Sequence, residues 1–522
     1  MLTPSLQGSR LLNAMAGMSA DPDVVKFARF PAIPTAFTTY NIYSGALAHN
    51  TVGTPVLNGG FFPRICNFVG ESGTGKSSAL LRMATGVIDK LEEYGISDGV
   101  LYYFDPEGHT DINRFLKLSH WSPMRFQQKC QYTQDELSLI DLLNLIVKLH
   151  GIKTKYRKDY TISSKLIDID GREVTCLVPT IICVDSVAAV NPAGLEDMVA
   201  YDKSGEMKDI KDIAGNMDGA RDAKLWTAFV RKVKPFLCEA NIGLYFVNHK
   251  VKELQIDPYA PKTRYLPFLK IGEKLMGGRE LIFQSFNAFM LSSGAKIDEK
   301  DPIFGPDING WIANAMFVKN KFNIEGAPFP MVFDQATGYS PVLSDFMYLY
   351  ERKFGLSGTS KITLDILPEV SFSRKELVNL LYTHPAVGRA IQFETRYRAS
   401  AEMLNGIRNP TPLLDLGTNV PMEKRVGIIM ACTQSYHSDW ESGEEWRDFL
   451  KLGLENRKYY VMDASPESTQ ISYINSIIND PDITRVTKGY SMVGQRANTP
   501  FDVDRGLAKS TTHGGITYIE QL

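Results

Sequence analysis

The stretch Gly70-Glu71-Ser72-Gly73-Thr74-Gly75-Lys76-Ser77 decides the fold, because it completes the pattern G-x-x-x-x-G-K-[ST]. The apolar run 65–69 before it predicts a strand, and the residues from Ser77 to about Lys90 predict a helix. Between a strand and a helix, the glycines let the backbone curve around a polyphosphate with its N–H groups pointing inward. Lys76 would reach the β- and γ-phosphates, and the Ser77 hydroxyl would ligate Mg²⁺. The stretch therefore predicts a nucleoside triphosphate site, in which the next residue, Ser78, also takes part.

The overall composition is that of an ordinary globular protein. Of the 522 residues, 44% are hydrophobic and 22% charged, so two or three domains with full cores are expected. The formal net charge of −2 excludes a general positive excess, and any nucleic-acid site would have to be a local basic patch. The six cysteines show no metal-binding spacing. Because no leader-like segment or bilayer-length apolar run is evident, we expect a cytoplasmic protein without a membrane partner.

Residues 41–350 alternate apolar runs with helical patterns, which predicts an α/β core with a mostly parallel sheet flanked by helices. Candidate strands cover 64–69, 100–104, 179–185, 243–248, 285–292 and 312–318. Inside this core, residues 155–178 read as a β-hairpin insertion that turns at Asp170-Gly171.

Three further segments flank this core. Residues 1–40 are expected to form an N-terminal arm, in which Phe27 and Phe30 are candidates for docking on a neighbouring subunit. Residues 351–400 are expected to form a helical extension, and 401–522 a small C-terminal α/β module of unknown role.

Two acidic residues follow predicted strands at positions where ATP hydrolysis requires carboxylates. Asp185 follows the run 180–184 and would enter the Mg²⁺ shell, while Glu107 follows the run 100–104 and is a candidate to activate water. Open α/β sheets bind ligands at the carboxyl ends of their strands, where both acids would lie. The alternative is that each acid only caps the helix that follows it.

Several strings resemble the ATPase core of RecA-type recombinases, in the order expected for that family. Asp185-Ser186-Val187-Ala188-Ala189 resembles its metal-binding strand end, and Phe104-Asp105-Pro106-Glu107 its catalytic segment. Phe246-Val247-Asn248-His249 resembles the strand end that senses the γ-phosphate. Val318-Lys319-Asn320-Lys321 is similar to a lysine pair that reaches ATP bound by a neighbouring subunit. Histidine rather than glutamine at position 249 is a feature similar to the phage recombinases of the UvsX type.

The resemblance covers about residues 40–350 well and implies a role for each matching residue. ATP and Mg²⁺ would be the cofactors, Glu107 the water-activating base, and His249 the link between the γ-phosphate and the loop after it. Lys319 and Lys321 would act in trans, neutralising charge on the ATP bound by a neighbouring subunit. Without the resemblance, His249 reads as a structural residue and the two lysines as solvated strand-end residues. Arg114 stands where bacterial relatives carry an adenine-stacking tyrosine, and Asp111 is a second candidate nucleotide contact near it.

The DNA-binding interpretation depends on two loops. Residues 250–278 resemble the second DNA loop of the family, and they interleave basic residues with the rings of Tyr259, Tyr265 and Phe268. The candidate contacts there are Lys250, Lys252, Lys262, Arg264, Lys270, Lys274, Gly277, Gly278 and Arg279. Residues 192–222 occupy the place of the first loop, for which Arg221 and Lys224 are the candidates. The alternative is that the loop is basic because it is exposed to solvent, without binding DNA.

Together these features predict an ATP-dependent DNA recombinase that forms helical filaments on single-stranded DNA and pairs it with homologous duplex DNA. Such a protein would act in the cytoplasm, of an infected bacterial cell for a phage protein, with single-strand-binding or mediator proteins as candidate partners. Two alternatives remain open: a ring-forming replicative helicase with a RecA-like core, and a catalytically weak filament that coats DNA.

Overall fold

The computed structural model describes residues 33–49, 55–93, 96–167, 173–192, 218–252, 264–297, 304–305, 308–323 and 325–405, together with residues 445, 448–449, 508–513 and 516–521. The helices, in chain order, are α1 Thr38–Ser44, α2 Lys76–Glu93, α3 Ile112–Ser119, α4 Pro123–Lys129, α5 Leu139–Lys155, α6 Arg157–Tyr160, α7 Asp218–Glu239, α8 Gly278–Gln284, α9 Pro341–Arg352, α10 Leu377–Thr383 and α11 Pro385–Asn405. Two 3₁₀ turns span Val187–Ala189 and Arg374–Glu376.

The strands, in chain order, are β1 Ala46–His49, β2 Pro55–Asn58, β3 Ile65–Gly70, β4 Val100–Phe104, β5 Cys130–Thr133, β6 Thr161–Ile167, β7 Glu173–Leu177, β8 Thr180–Val184, β9 Ile242–Lys252, β10 Glu273–Leu275, β11 Asn287–Ser292, β12 Lys296–Ile297, β13 Gly310–Asn320, β14 Phe329–Asp334, β15 Gly338–Ser340, β16 Leu356–Ser357, β17 Ile362–Leu364, β18 Leu367–Phe372, β19 Ala508–His513 and β20 Ile516–Gln521. The six strands predicted for the core all form, as β3, β4, β8, β9, β11 and β13.

A large mixed sheet organises the described chain. Its strand order is β15-β14-β13-β11-β3-β9-β8-β4-β5, with β10 added beside β9 and β12 beside β13. The strands from β11 to β5 in this order run parallel, whereas β13, β14 and β15 each pair antiparallel with their neighbour. The α/β class with a mostly parallel sheet is therefore confirmed.

Helices cover both faces of this sheet, and the alternation of side chains along β8 shows it. Ile181 and Cys183 belong to one buried cluster, which also contains α2 and α9 residues, whereas Ile182 and Val184 belong to a second cluster with α5 and α7 residues. Strands buried on both sides read as continuous apolar runs, and this explains why β3 and β8 were predicted correctly.

The chain leaves the neighbouring strands β3 and β9 toward opposite faces of the sheet. After β3 it enters α2, which packs in the first cluster, and after β9 it leads to α8, whose Leu281 packs in the second cluster. Neighbouring strands with connections on opposite faces leave a crevice at their carboxyl ends, where open α/β sheets bind ligands. The glycine-rich loop, residues 70–77, lies at this point.

The boundary expected for the N-terminal arm is wrong in its last part. Residues 33–40 are core: Phe37 and Tyr40 are each 1% exposed, and the Tyr40 ring lies 5.0 Å from that of Phe289 and 5.1 Å from that of Phe317. The ring partners lie far along the sequence, so local composition did not reveal them. Phe27 and Phe30 lie outside the described residues.

Other segment expectations have mixed outcomes. Strands β6 and β7 pair antiparallel as a separate hairpin, with its turn outside the described residues. The extension expected to be helical over 351–400 first forms a three-stranded sheet, β16-β17-β18, before α10 and α11. Most of residues 401–522 lie outside the described part of the chain. Among the described residues of this segment, β19 and β20 form an antiparallel pair. No helix in the described ranges is both long and apolar enough to cross a bilayer.

Candidate functional site

The backbone of the glycine-rich loop has a shape that only glycine adopts easily. Gly73 and Gly75 have φ values of 76° and 79°. A Cβ atom on Gly70 would lie 2.3 Å from the carbonyl oxygen of Leu291, and one on Gly75 would lie 2.8 Å from the Tyr339 hydroxyl. A Cβ on Gly73 would meet nothing within 4 Å. The loop is thus closely supported from below and open above Gly73, as a phosphate cradle requires.

Lys76 places a buried positive charge in this loop. The side chain is 3% exposed, and its Nζ donates to the Glu71 carbonyl oxygen at 2.6 Å. Burial lowers the pKa of Lys76 to about 8, although the negative charges of Asp185 and Glu107 oppose this shift. A buried ammonium is stabilised by an anion at close range, so the site fits a phosphate group.

Asp185 and Ser77 present oxygen ligands beside Lys76. The Asp185 carboxylate accepts hydrogen bonds from the Tyr103 hydroxyl at 3.0 Å and from the Ser77 hydroxyl. Burial raises the pKa of Asp185 to about 6, and these hydrogen bonds oppose the shift. No cluster of three or more His, Cys, Asp or Glu side chains suited to a metal occurs in the described ranges. This donor set fits Mg²⁺, which takes few protein ligands and completes its shell with water and phosphate oxygens.

A tight loop after β4 places Glu107 beside this pair. Asp105 organises the loop, because its carboxylate accepts from the backbone N–H groups of His109 at 3.4 Å and Thr110 at 2.8 Å. Gly108 has a φ of 67°, which turns the chain so that His109 folds back over Glu107.

Three polar side chains surround the Glu107 carboxylate. The Ser186 hydroxyl donates to Oε1, His109 Nδ1 lies 3.0 Å from Oε2, and His249 Nε2 lies 4.0 Å from Oε1. The sequence interpretation assigned no role to Ser186 or His109. Ser186 could have been suspected because it follows Asp185 directly, but the return of His109 depends on the Gly108 turn.

His249 lies next to the glycine-rich loop by strand register. On β9 it pairs with Gly70 of β3. Burial lowers the pKa of His249, the charge of Lys76 adds to this effect, and Glu107 opposes it. The imidazole is therefore neutral near pH 7 and can form a hydrogen bond without bringing a second positive charge beside Lys76.

The predicted nucleotide contacts Asp111 and Arg114 lie at the start of α3. Asp111 caps α3 by accepting from the Arg114 N–H at 2.8 Å. The Arg114 guanidinium donates to the carbonyl oxygens of Gln335 at 2.6 Å and Ala336 at 3.3 Å, in the turn before β15. Tyr339 of β15 in turn donates to the Thr74 carbonyl oxygen at 3.0 Å. Arg114 is thus engaged with a turn that supports the glycine-rich loop.

Lys319 and Lys321 lie toward the end of the strands that is opposite the glycine-rich loop. Lys319 pairs with Ala288 at the start of β11, whereas Leu291 of the same strand pairs with Gly70. Three residues of strand separate these positions, or roughly 10 Å. Lys319 Nζ donates to the Ile282 carbonyl oxygen at 2.8 Å and to that of Phe283, so it caps the end of α8. Neither lysine lies at the end of the strands where the glycine-rich loop of its own chain is found.

The candidate DNA loops are described only in part. Lys250 and Lys252 lie on β9, where β10 pairs with them and brings Lys274 opposite Val251. Tyr265 and Phe268 pack against a small buried cluster, and the Arg279 guanidinium lies 5.4 Å from the Tyr265 ring centre. These two rings are therefore partly covered rather than free to stack on bases.

The other candidate DNA contacts have the following positions. Arg264 and Lys270 are exposed, and Gly277 and Gly278 have positive φ values where the chain enters α8. Lys224 is exposed on α7. Lys262, the Arg221 side chain and most of 192–222 lie outside what the structure describes.

No protein-family model matches the chain, and no curated protein matches its sequence.

Proposed function

We propose that this protein is an ATP-dependent DNA recombinase with a RecA-like core, which assembles on single-stranded DNA and pairs it with homologous duplex DNA. One observation carries the proposal. Residues predicted from separate motifs gather at the carboxyl edge of β3, β4, β8 and β9. They are Lys76, Ser77, Glu107, Asp185 and His249.

The chemistry that this group supports is hydrolysis of a phosphoanhydride. The glycine-rich loop and Lys76 bind the polyphosphate, and Mg²⁺, held by Ser77 and Asp185, would neutralise charge on its oxygens. Glu107 accepts a proton from water while the water oxygen attacks the γ-phosphorus and the bond to the β-phosphate oxygen breaks. The products are ADP and phosphate. For Glu107 to act as the base, the attacking water must take the place of a group that now contacts its carboxylate, such as the Ser186 hydroxyl.

The link to DNA is supported by the chain path. His249, which lies beside the glycine-rich loop, is followed directly by Lys250 and by the segment that leads to α8. Loss of the γ-phosphate at one end of this path changes the contacts of His249, and so can shift the basic segment that follows.

The test is ATP hydrolysis measured with and without single-stranded DNA at rising protein concentration. The proposal predicts that DNA stimulates hydrolysis cooperatively, because catalysis requires neighbours assembled on one strand. DNA binding should also weaken steeply with salt, since lysines and arginines replace counterions on the phosphates. Tight ATP binding without any stimulation by DNA would contradict the recombinase proposal.

A further inference from the structure

Two lysines contact the last turn of α8, at the end of the strands opposite the glycine-rich loop. Lys319 Nζ donates to the carbonyl oxygens of Ile282 and Phe283, and Lys234 Nζ of α7 donates to the Gln284 side-chain oxygen. The acceptors are three consecutive residues, so the two ammonium groups lie at one place on the surface.

Two further cations join them through backbone pairing. Arg64 precedes β3, and the next residue, Ile65, accepts from the Phe286 N–H at 2.7 Å, two residues beyond Gln284. Lys321 follows β13, whose Asn320 pairs with Asn287 of β11. We call the group of Arg64, Lys234, Lys319 and Lys321 the cation edge.

Within the described part of the chain, none of the members of the cation edge forms an ion pair, although the charges of Glu280 and Glu325 act on Lys319 and that of Glu280 acts on Lys234. The nearby Glu280 is engaged by Arg231 at 3.3 Å and by Gln284, and Glu325 accepts from the Asn320 N–H at 3.0 Å. Burial lowers the pKa of Lys319 to about 8 and lowers that of Lys234, and their like-charged neighbours add to both shifts. A multiply charged anion would relieve this repulsion.

The surroundings of the cation edge suit a protein-borne anion. Phe283 and Phe322 flank it and are 52% and 45% exposed. The Phe322 ring packs 4.7 Å from that of Phe286, so it is held in place at the surface. Exposed rings beside unpaired cations favour a partner that buries apolar area and supplies phosphate together.

We infer that Lys234 and Arg64 complete, with Lys319 and Lys321, a binding site for the polyphosphate of a nucleotide held by a second copy of this chain. The inference rests on the proposed function, for which the sequence resemblance implied only Lys319 and Lys321 as contacts to that nucleotide. The cation edge and the glycine-rich loop lie at opposite ends of the same strands, so one chain cannot bring them together. Two copies stacked head to tail can do so.

Mixing two defective variants tests this directly. Lys234→Ala keeps an intact glycine-rich loop, and Lys76→Ala keeps an intact cation edge. Each alone should lose at least about tenfold of the DNA-stimulated hydrolysis, as expected for loss of a charge contact to the reacting phosphate. In an equal mixture, the loop of one variant faces the cation edge of the other at about a quarter of random head-to-tail contacts, so activity should recover well above either variant.

The matched control is Lys148→Ala, which removes an exposed lysine from α5 and should hydrolyse ATP at close to the wild-type rate. Arg64→Ala should behave like Lys234→Ala in the mixing test. If Lys234→Ala fails to fold by circular dichroism, Lys234→Gln takes its place.

The inference would be overturned by a Lys234→Ala chain as active as wild type, or by a mixture no more active than its components. Weakened DNA binding with normal hydrolysis at saturating DNA would show that Lys234 contacts the DNA backbone instead, and would overturn it as well. A wild-type chain that hydrolyses no ATP with DNA would contradict the proposed function itself, and the inference with it.

Discussion

At the residue scale, Glu107 lies between polar donors rather than in an apolar pocket. Its oxygens contact Ser186 and His109, and His249 lies 4.0 Å away. These contacts fix the direction of the carboxylate, and a water that replaces one of them would lie where Glu107 can accept its proton.

Glu107→Gln should retain ATP binding and lose hydrolysis by about 10²-fold or more, because the amide keeps the shape but cannot accept the proton. Binding is measured by titration calorimetry and turnover by phosphate release. Glu369→Gln, at an exposed position on β18, is the control. Unchanged turnover in Glu107→Gln would remove this residue from the role of base.

Asp345 of α9 gives a pH prediction that does not depend on the nucleotide. It is 1% exposed and accepts from the Thr38 hydroxyl of α1 at 2.8 Å. Burial raises the pKa of Asp345 to about 8, which Thr38 and Arg396 oppose. The folded state therefore keeps a proton that the unfolded chain releases near pH 4. The stability associated with this proton is present below pH 4 and is lost as pH rises toward 8.

Asp345→Asn keeps the shape and removes the titration. The free energy of unfolding of wild type should fall relative to this variant between pH 5 and 8, by at most about 1.4 kcal/mol per pH unit. Urea unfolding of both chains at several pH values measures it. Parallel pH profiles would show that Asp345 is ionised throughout.

At the element scale, β15 supports the glycine-rich loop through one hydrogen bond. Tyr339 donates to the Thr74 carbonyl oxygen, and its ring underlies Gly75. Tyr339→Phe should leave the fold intact and raise the KM for ATP by about fivefold, the effect of losing roughly one neutral hydrogen bond. The exposed Tyr382→Phe is the control. A KM equal to that of wild type would mean that the loop holds its shape without β15.

The elements that the sequence predicted well are those with local signals. Strands β3 and β8 are short, mainly apolar runs, broken in β3 only by Asn67, and each leads into the residues of a motif. The sheet and the positions of Lys76 and Asp185 could therefore be predicted from the order of these segments. Tyr339 could not be associated with the loop in this way. It lies 265 residues after Thr74, and only the antiparallel return of β14 and β15 brings it there.

Other elements were missed because their partners are distant. Helix α1 is buried by rings from β3, β11 and β13, which no local pattern connects to it. Similarly, Arg64 and Lys234 carry no motif. Lys234 meets Lys319 at the end of α8, and Arg64 joins them through the backbone hydrogen bond between Phe286 and Ile65.

At the scale of the whole molecule, the sheet has one edge that suits phosphate binding and an opposite edge rich in cations. Contacts between two different surfaces repeat from copy to copy, and they close into a ring or continue as a helix according to the rotation between copies. The rotation between copies therefore decides between the helical filament of a recombinase and the closed ring of a helicase.

Lys321→Ala tests the contact between copies more cleanly than Lys319→Ala, because Lys319 also caps α8. The variant should bind ATP with unchanged affinity, since its own glycine-rich loop is intact, and should lose about tenfold or more of the DNA-stimulated hydrolysis at high protein concentration. Hydrolysis assays over a concentration series measure this. Normal cooperative hydrolysis would place Lys321 outside the active interface.

The most direct test of the central claim is to image the wild-type protein by electron cryomicroscopy with single-stranded DNA, Mg²⁺ and a slowly hydrolysed ATP analogue. We predict helical filaments in which the analogue lies on residues 70–77 of one copy and faces Lys319 and Lys321 of the next. Closed rings, or particles whose nucleotide contacts a single copy, would contradict the account.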